Sequence, residues 1–156
     1  TRKESSAASD VYKRQMPYCA KTEIVSNEEE WEDDLLAIKE FFISEEIYTT
    51  GPVIFTKEVA GLGEYKYVVY IPLNAPIDPI PELNISYEPL LDVLPTISHK
   101  CFYEEEFEDI YDEIKNSAHE NEITLENSDF YHVLLPYPGG HLYEIHAEVN
   151  VDEEEI

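Results

Sequence analysis

Residues 28–39, EEEWEDDLLAIK, and residues 104–115, EEEFEDIYDEIK, decide the fold because they are two copies of one segment. Seven positions are identical, and Trp31 is matched by Phe107 at an offset of 76 residues. The same offset, without a gap, also equates Glu46 with Glu122, Ile47 with Ile123, Gly63 with Gly139, Tyr67 with Tyr143, and Asn74 with Asn150. Loop lengths therefore match as well as residues, and the sequence predicts a tandem duplication of one structural unit.

Each copy has the pattern of a strand, a helix and then two strands. Asn27, followed by Glu30 three residues later, is typical of a helix start. Apolar residues at helical spacing predict one buried stripe on each helix: Trp31, Leu35, Ile38 and Phe42 in the first copy, and Phe107, Ile110, Tyr111, Ile114 and Ala118 in the second. The glutamates between them are expected to face water. The predicted strands are residues 18–25, 52–59 and 65–73, and then 96–102, 129–135 and 141–149, with hairpin turns at 60–64 and 136–140.

These elements predict an α+β fold in which two tandem βαββ repeats form an antiparallel sheet, with two helices on one face and a cleft on the other. One domain is expected at residues 16–150, with repeats at about 17–74 and 93–150. Residues 75–92 contain several prolines and predict a crossover linker. Residues 151–156 are expected to form a frayed acidic tail.

The first fifteen residues are expected to carry no fold information. Residues 5–15 read SSAASDVYKRQ, which a single set of codons would spell as a widely used transposase library adapter. We therefore expect residues 1–15 to be an adapter-derived, disordered segment, and the natural chain to begin at Met16.

Composition narrows the class of partner. The chain has 35 acidic and 10 basic residues, a net charge of −25, and both of its arginines lie within the excluded segment. This balance argues against nucleic-acid binding, which needs clustered Lys and Arg, and favours a cationic ligand or a basic protein partner; the alternative is that the charge only confers solubility. No apolar run predicts a membrane span, and a cytoplasmic location is expected. Cys19 and Cys101 have no metal-ligand spacing and are expected to be reduced.

Strand alternation assigns side chains to the two faces of the sheet. One face is almost wholly apolar and is expected to lie under the helices: Val53, Phe55, Tyr67, Val69 and Ile71, and then Tyr131, Val133, Tyr143, Ile145 and Ala147. The opposite face mixes aromatic and ionisable residues, as a ligand cleft does. Its candidate ligand-binding residues are Glu144, His132, His146, Tyr70, Phe130, Ile54 and Val68.

Symmetric hairpin pairing would set His132 opposite Glu144, Phe130 opposite His146, and Glu58 opposite Lys66. A carboxylate among aromatic residues could hold a cation, act as a general base or complete a two-histidine metal site. No spacing motif supports the metal site, so no metal and no cofactor are predicted. The alternative is a plain hydrogen-bonded His and Glu pair on an open sheet face.

The paired βαββ copies, with VVYIPL ending the first and LYEIHAEV ending the second, resemble the gyrase-inhibitor-like (GyrI-like) effector-binding fold. In that family an acidic residue of the last strand meets cationic or aromatic ligands, and Glu144 matches it. His146 to Glu148 depart from the family, which usually has an aromatic residue and a proline after the glutamate. The chain is most similar to uncharacterised stand-alone members from Gram-positive bacteria, some of which are associated with LXG-type toxins and type VII secretion.

Three functions stay open. The first is a non-catalytic module whose cleft binds a small cationic or aromatic ligand, with no catalytic residues. The second is an accessory, chaperone-like or targeting protein associated with LXG toxins and type VII secretion. The third is a small-molecule hydrolase in which Glu144 would be the general base, assisted by Tyr70 or Tyr103; no nucleophile and base pair can be read from spacing.

Overall fold

The computed structural model describes residues 14–93 and 96–150, in two compact units with a boundary between Leu91 and Asp92. The α+β class and the two βαββ units are confirmed. The N-terminal unit is Met16–Leu91 and contains α1 (Trp31–Ser44), β2 (Val53–Gly61), β3 (Glu64–Pro72), and all but the first two residues of β1 (Arg14–Ser26) and the last two of β4 (Ile85–Val93). The C-terminal unit contains β5 (Thr96–Cys101), α2 (Phe107–Glu120), β6 (Leu125–Tyr137) and β7 (Gly140–Val149).

Both helices end in the same way, but they begin differently: before α2, the Glu106 carboxylate accepts a hydrogen bond from the backbone N–H of Tyr103, the residue equivalent to Asn27. Before α1, the Asn27 side-chain oxygen accepts bonds from the backbone N–H groups of Glu29 and Glu30, so Asn27 closes the turn that leads into the helix. At the other end, Glu46 and Glu122 are 76 residues apart and both are left-handed, with φ of 63° and 57°. The residue after each donates its N–H back to a helix carbonyl. This ending resembles the Schellman motif, which usually has glycine at the left-handed position.

The core of the N-terminal unit lies where strand alternation predicts it. The strand order is β4-β1-β3-β2, and β3 pairs antiparallel with both β1 and β2. The Trp31 ring of α1 lies 4.3 Å from the Tyr67 ring and 4.7 Å from the Phe55 ring, and all three side chains are buried. Glu58 pairs with Lys66 across the hairpin, as predicted, and their charged atoms are 2.9 Å apart.

The predicted linker, residues 75–92, contains a strand that we did not predict. Residues 81–83 form a short 3₁₀ turn, and β4 then runs from Ile85 to Val93. Prolines suggested an irregular connection, but β4 lies at the edge of its unit's strand order, where a residue without an N–H group is tolerated. Asn84, with φ of 58°, makes the sharp entry into this strand.

In the C-terminal unit the strand order is β6-β7-β5, and both pairings are antiparallel. On β7 the predicted faces are confirmed: Tyr143, Ile145 and Ala147 are buried, and the Phe107 ring of α2 meets the Tyr143 ring edge-on at 4.9 Å.

The predicted pairing of β6 is wrong by one residue. His132 pairs with Ile145 and Phe130 with Ala147, so Glu144 lies opposite Val133 and His146 opposite Tyr131. The prediction assumed that both hairpins pair alike. The first hairpin has a β-bulge between Val59 and Gly61, which moves its pairing by one residue, whereas the second hairpin pairs without a shift from Phe130 to Tyr137. Residues that are 76 positions apart on β2 and β6 therefore lie on opposite faces of their strands, relative to the helix of each unit.

Three further features bear on the sequence predictions. Residues 1–13 and the acidic tail at 151–156 lie outside the described residues. Strand β1 begins at Arg14, two residues inside the segment that we expected to be adapter-derived. Within the described ranges, neither helix is long and apolar enough to cross a membrane.

Candidate functional site

The candidate site lies on the face of β7 that points away from α2. Because Tyr143 and Ile145 face the helix, Glu144, His146 and Glu148 alternate onto the opposite face. Strand β5 lies beside them and sets Lys100 opposite Glu144, Ser98 opposite His146, and Thr96 opposite Glu148. We call these six residues the acidic face.

A hydrogen-bonded chain joins three side chains of the acidic face. The Thr96 hydroxyl lies 2.6 Å from Nδ1 of His146, and Nε2 of His146 lies 2.7 Å from Oε1 of Glu144. In the tautomer that carries its proton on Nε2, the ring donates to Glu144 and accepts from Thr96. The imidazole is therefore held in one orientation by partners on two strands.

The acidic face is partly withdrawn from water. The Glu144 side chain is 19% exposed, and Glu148 and His146 are buried. Lys100 supplies one nearby positive charge, but its ammonium lies 3.8 Å from Oε2 of Glu144 and its side chain is 65% exposed. Such an exposed pair contributes little to stability, so it compensates the carboxylate only weakly.

Exposed aromatic residues lie at one end of this face. Val133 of β6 lies opposite Glu144, and Tyr137, which lies further along β6, points to the same face because side chains alternate. Tyr137 is 44% exposed. Phe102, which follows β5, is 54% exposed and meets the Tyr137 ring edge-on, with centroids 6.3 Å apart. The rings and the carboxylate together make a surface with both apolar and anionic parts.

The structure separates the predicted site residues into three groups. Glu144 and His146 lie together on the acidic face. Ile54, Val68 and Tyr70 lie together in the N-terminal unit, on the face away from α1, where Ile54 pairs with Tyr70.

His132 and Phe130, predicted to join Glu144, instead lie under α2. The His132 ring is 4.6 Å from the Phe107 ring and the Phe130 ring stacks on Tyr111 at 4.3 Å. The one-residue difference in β6 pairing causes this correction.

Tyr70 has its own charged surroundings in the N-terminal unit. Burial raises the pKa of its hydroxyl, and the nearby Glu88 carboxylate raises it further. The Lys21 ammonium lies 5.7 Å from the centre of the Tyr70 ring, within range of a cation–π contact.

Sequence reasoning missed the contribution of β5 to the site. The alternation of Thr96, Ser98 and Lys100 was available in the sequence and indicates one polar face. Which strand lies beside β7, and in what register, depends on pairing across the unit and could not be read from spacing. In the part of the chain that the structure describes, no cluster of His, Cys, Asp and Glu could hold a metal ion.

Comparisons with solved structures show the fold. The C-terminal domain of EcmrR is 12% identical, with a TM-score of 0.60, and the match covers 91% of this chain and 98% of that one. The structure of the EcmrR–DNA complex in EcmrR-RPo matches with a TM-score of 0.62 at 11% identity, and the match covers 91% of this chain and 57% of that one. A hydrolase from Listeria innocua matches with a TM-score of 0.51 at 8% identity, and the match covers 93% of this chain and 94% of that one. At these identities the likeness carries the fold alone.

Comparison with curated proteins gave no match. Residues 14–153 match the model of a family described as a domain of unknown function, DUF5085, and the chain therefore belongs to the DUF5085 family.

Proposed function

We propose that the protein is a binding module whose acidic face takes a small organic cation with an apolar or aromatic body. The observation that carries the proposal is the Glu144 carboxylate, which is 19% exposed and lies on one face with the exposed rings of Phe102 and Tyr137. A carboxylate with few water neighbours attracts a cation more strongly than one in bulk water. Aromatic rings favour the same ligand through cation–π contact and apolar burial.

The residues around Glu144 suit a binding role. His146 fixes the carboxylate through a 2.7 Å hydrogen bond, so little side-chain entropy is lost when a ligand binds. Glu148 adds a second carboxylate on the same face. The resemblance to the GyrI-like fold assigns the ligand contact to Glu144 as well. A part for Ile54, Val68 and Tyr70 in ligand binding stays a prediction.

Two dyes of opposite charge test this proposal. Ethidium is a flat aromatic cation, and anilinonaphthalene sulfonate is an aromatic anion; both report binding by fluorescence. We expect saturable binding of ethidium and none of the anion. Glu144→Gln removes the charge while keeping the shape, and should weaken ethidium binding at least about tenfold, equivalent to about 1.4 kcal/mol.

Glu105→Gln is the matched control, because it removes the same charge from an exposed carboxylate of the 3₁₀ turn before α2. It should leave ethidium binding nearly unchanged. Equal weakening by both substitutions would mean that only net charge attracts the dye, and the proposed site would be wrong.

A second candidate function rests on the chain Thr96–His146–Glu144. A hydroxyl, an imidazole and a carboxylate in hydrogen-bonded sequence have the roles of nucleophile, base and orienting group in acyl transfer. Thr96 Oγ1 would attack the carbonyl carbon of an ester while its proton passes to Nδ1 of His146. The protonated ring would then give that proton to the departing alcohol. Water, deprotonated by the same nitrogen, would release the acid and restore the hydroxyl.

Hydrolysis of p-nitrophenyl acetate tests this second candidate. We expect slow turnover, which Thr96→Ala should abolish and Thr96→Ser should retain, since serine keeps the hydroxyl. Turnover that survives Thr96→Ala, or no turnover in the native protein, would rule out this chemistry for the chain. Neither result bears on the binding of ethidium, so the two candidates are tested separately. The accessory role beside LXG toxins stays a prediction from the resemblance.

A further inference from the structure

An apolar groove lies in the N-terminal unit, apart from the acidic face. Its volume is about 230 Å³, and it is bounded by the end of α1 on one side and by residues 76–80 on the other. The lining residues are Phe41, Phe42, Glu45, Ile47, Pro76, Ile77, Asp78, Pro79 and Ile80. Apart from two carboxylates, all of these side chains are apolar.

Backbone hydrogen bonds hold both ends of the groove wall. The N–H of Asn74 donates to the Tyr48 carbonyl, and the Asn74 side-chain oxygen accepts from the Tyr48 N–H at 3.0 Å. At the other end, Ile80 and Ile85 exchange two backbone bonds of 2.8 and 3.1 Å. The proline-rich segment between these points is therefore a fixed wall, and a ligand would meet a preformed surface.

The size of the groove favours a peptide side chain over a small molecule. Pockets for drug-sized ligands have volumes of about 300–1,000 Å³. A groove of about 230 Å³ is below that range and has room for one or two bulky apolar side chains.

The charge around the groove favours a basic partner. Glu45 and Asp78 line the groove, and the last turn of α1 has no basic residue. Because the carbonyl end of a helix carries partial negative charge, the carboxylates and the helix end act in the same direction. A second copy of this chain, with a net charge of −25, would be repelled.

The duplication supplies an internal comparison. At the offset of 76, Phe41 corresponds to Ser117, Phe42 to Ala118 and Glu45 to Asn121. The last turn of α2 also carries His119, where α1 has Ile43. The second repeat folds in the same way with small and neutral residues here. The fold therefore does not require the Phe41 ring or the Glu45 carboxylate, whereas Phe42 is 1% exposed and belongs to the core.

We infer that this groove is a docking site for a basic amphipathic segment of another protein, which inserts apolar side chains and sets lysine or arginine against Glu45 and Asp78. The Phe41 ring forms the accessible apolar floor, and the Phe42 ring, which is 1% exposed, lies 5.8 Å from it in the core. Apolar contact supplies most of the affinity, and the paired charges select the partner.

A pair of designed peptides tests this inference. One is a short helical peptide of leucine and lysine, and the other has glutamate at every lysine position. We expect saturable binding of the basic peptide, followed by fluorescence anisotropy, and no binding of the acidic one. A photoreactive group on the basic peptide should crosslink to residues 41–47 and 76–80.

Variants taken from the other repeat make the test specific. Phe41→Ser and Glu45→Asn introduce the residues that the second repeat has at these positions. Each substitution should weaken binding of the basic peptide at least about tenfold. Glu105→Gln should leave its affinity unchanged. Binding that survives Phe41→Ser, or crosslinks outside the groove, would overturn the inference. A dimer of the native chain that Phe41→Ser dissociates would identify a second copy as the occupant and would also overturn it.

Discussion

His132 offers the sharpest test of how the second hairpin is paired. Its side chain is 0% exposed, its ring lies 4.6 Å from Phe107, and its Nε2 lies 2.6 Å from the Tyr111 hydroxyl. If β6 were paired as the symmetric hairpin predicts, His132 would lie on the open face, where substitution changes stability by no more than about 0.5 kcal/mol. With the observed pairing, His132→Ala empties a ring-sized space in the core. We expect a loss of about 2–4 kcal/mol in the free energy of unfolding.

The first repeat shows which substitution the site should accept. Phe55 pairs with Val69 as His132 pairs with Ile145, and Phe55 lies against Trp31 as His132 lies against Phe107. His132→Phe should therefore fit, gaining apolar burial and losing the bond to Tyr111. The two effects are each about 1 kcal/mol and opposite in sign, so stability should change by less than about 1 kcal/mol.

A double-mutant cycle measures the hydrogen bond itself. Tyr111→Phe should cost about 1–3 kcal/mol in the native background, because it removes a partner from a buried nitrogen. In the His132→Phe background the same substitution should cost less than about 0.5 kcal/mol. Urea unfolding followed by far-ultraviolet circular dichroism gives these values, with the slope checked for constancy. A His132→Ala loss below about 0.5 kcal/mol would show that the pairing described for β6 is wrong.

Two further predictions concern the backbone and the thiols. Glu122 is left-handed, with φ of 57°, so Glu122→Gly should stabilise the protein by about 0.5–1 kcal/mol, measured by thermal unfolding; Glu120→Gly, inside α2, should do the opposite. Burial raises the pKa of Cys19 and of Cys101 to about 11 from an ordinary value of 9.0. The folded state therefore keeps protons that the unfolded state releases, so the stabilising effect is complete below pH 9 and is lost as the pH rises toward 11. Reaction with a thiol reagent at pH 8 should be slow in the folded protein and fast in urea, and equal rates would contradict the burial of both thiols.

The sequence predicted the scaffold because duplication constrains it twice. Trp31 and Phe107 mark equivalent helices, and Tyr67 and Tyr143 mark equivalent strands, so β3 and β7 have the expected faces. The face of β6 could not be predicted in the same way. A bulge changes pairing by one residue without changing the number of residues in the hairpin, and a bulge beside the hairpin turn is present in the first repeat only; the shift in the second repeat lies at the far end of β6, between Leu125 and Phe130.

The candidate site was half predictable for the same reason. Glu144 and His146 lie on β7, whose face follows from its alternation with Tyr143. Thr96 and Lys100 join them only through the β5 pairing, which is a long-range contact with no local signal. Strand β4 was missed because Pro89 reads as a chain break, although an edge strand tolerates it.

The two repeats have the same fold but carry different residues at the positions proposed to bind ligands. Strand β7 is the equivalent of β3, but it has Glu144 where β3 has Val68, and His146 where β3 has Tyr70. On the helices the difference is reversed, since α1 has Phe41 where α2 has Ser117. Each repeat shows that the other's special residues are not needed for folding, because its own fold forms without them. A residue that is found in one repeat alone and lies outside the packed core is therefore better explained by binding than by stability, and this reasoning selects Glu144 and Phe41 as the first two positions to change.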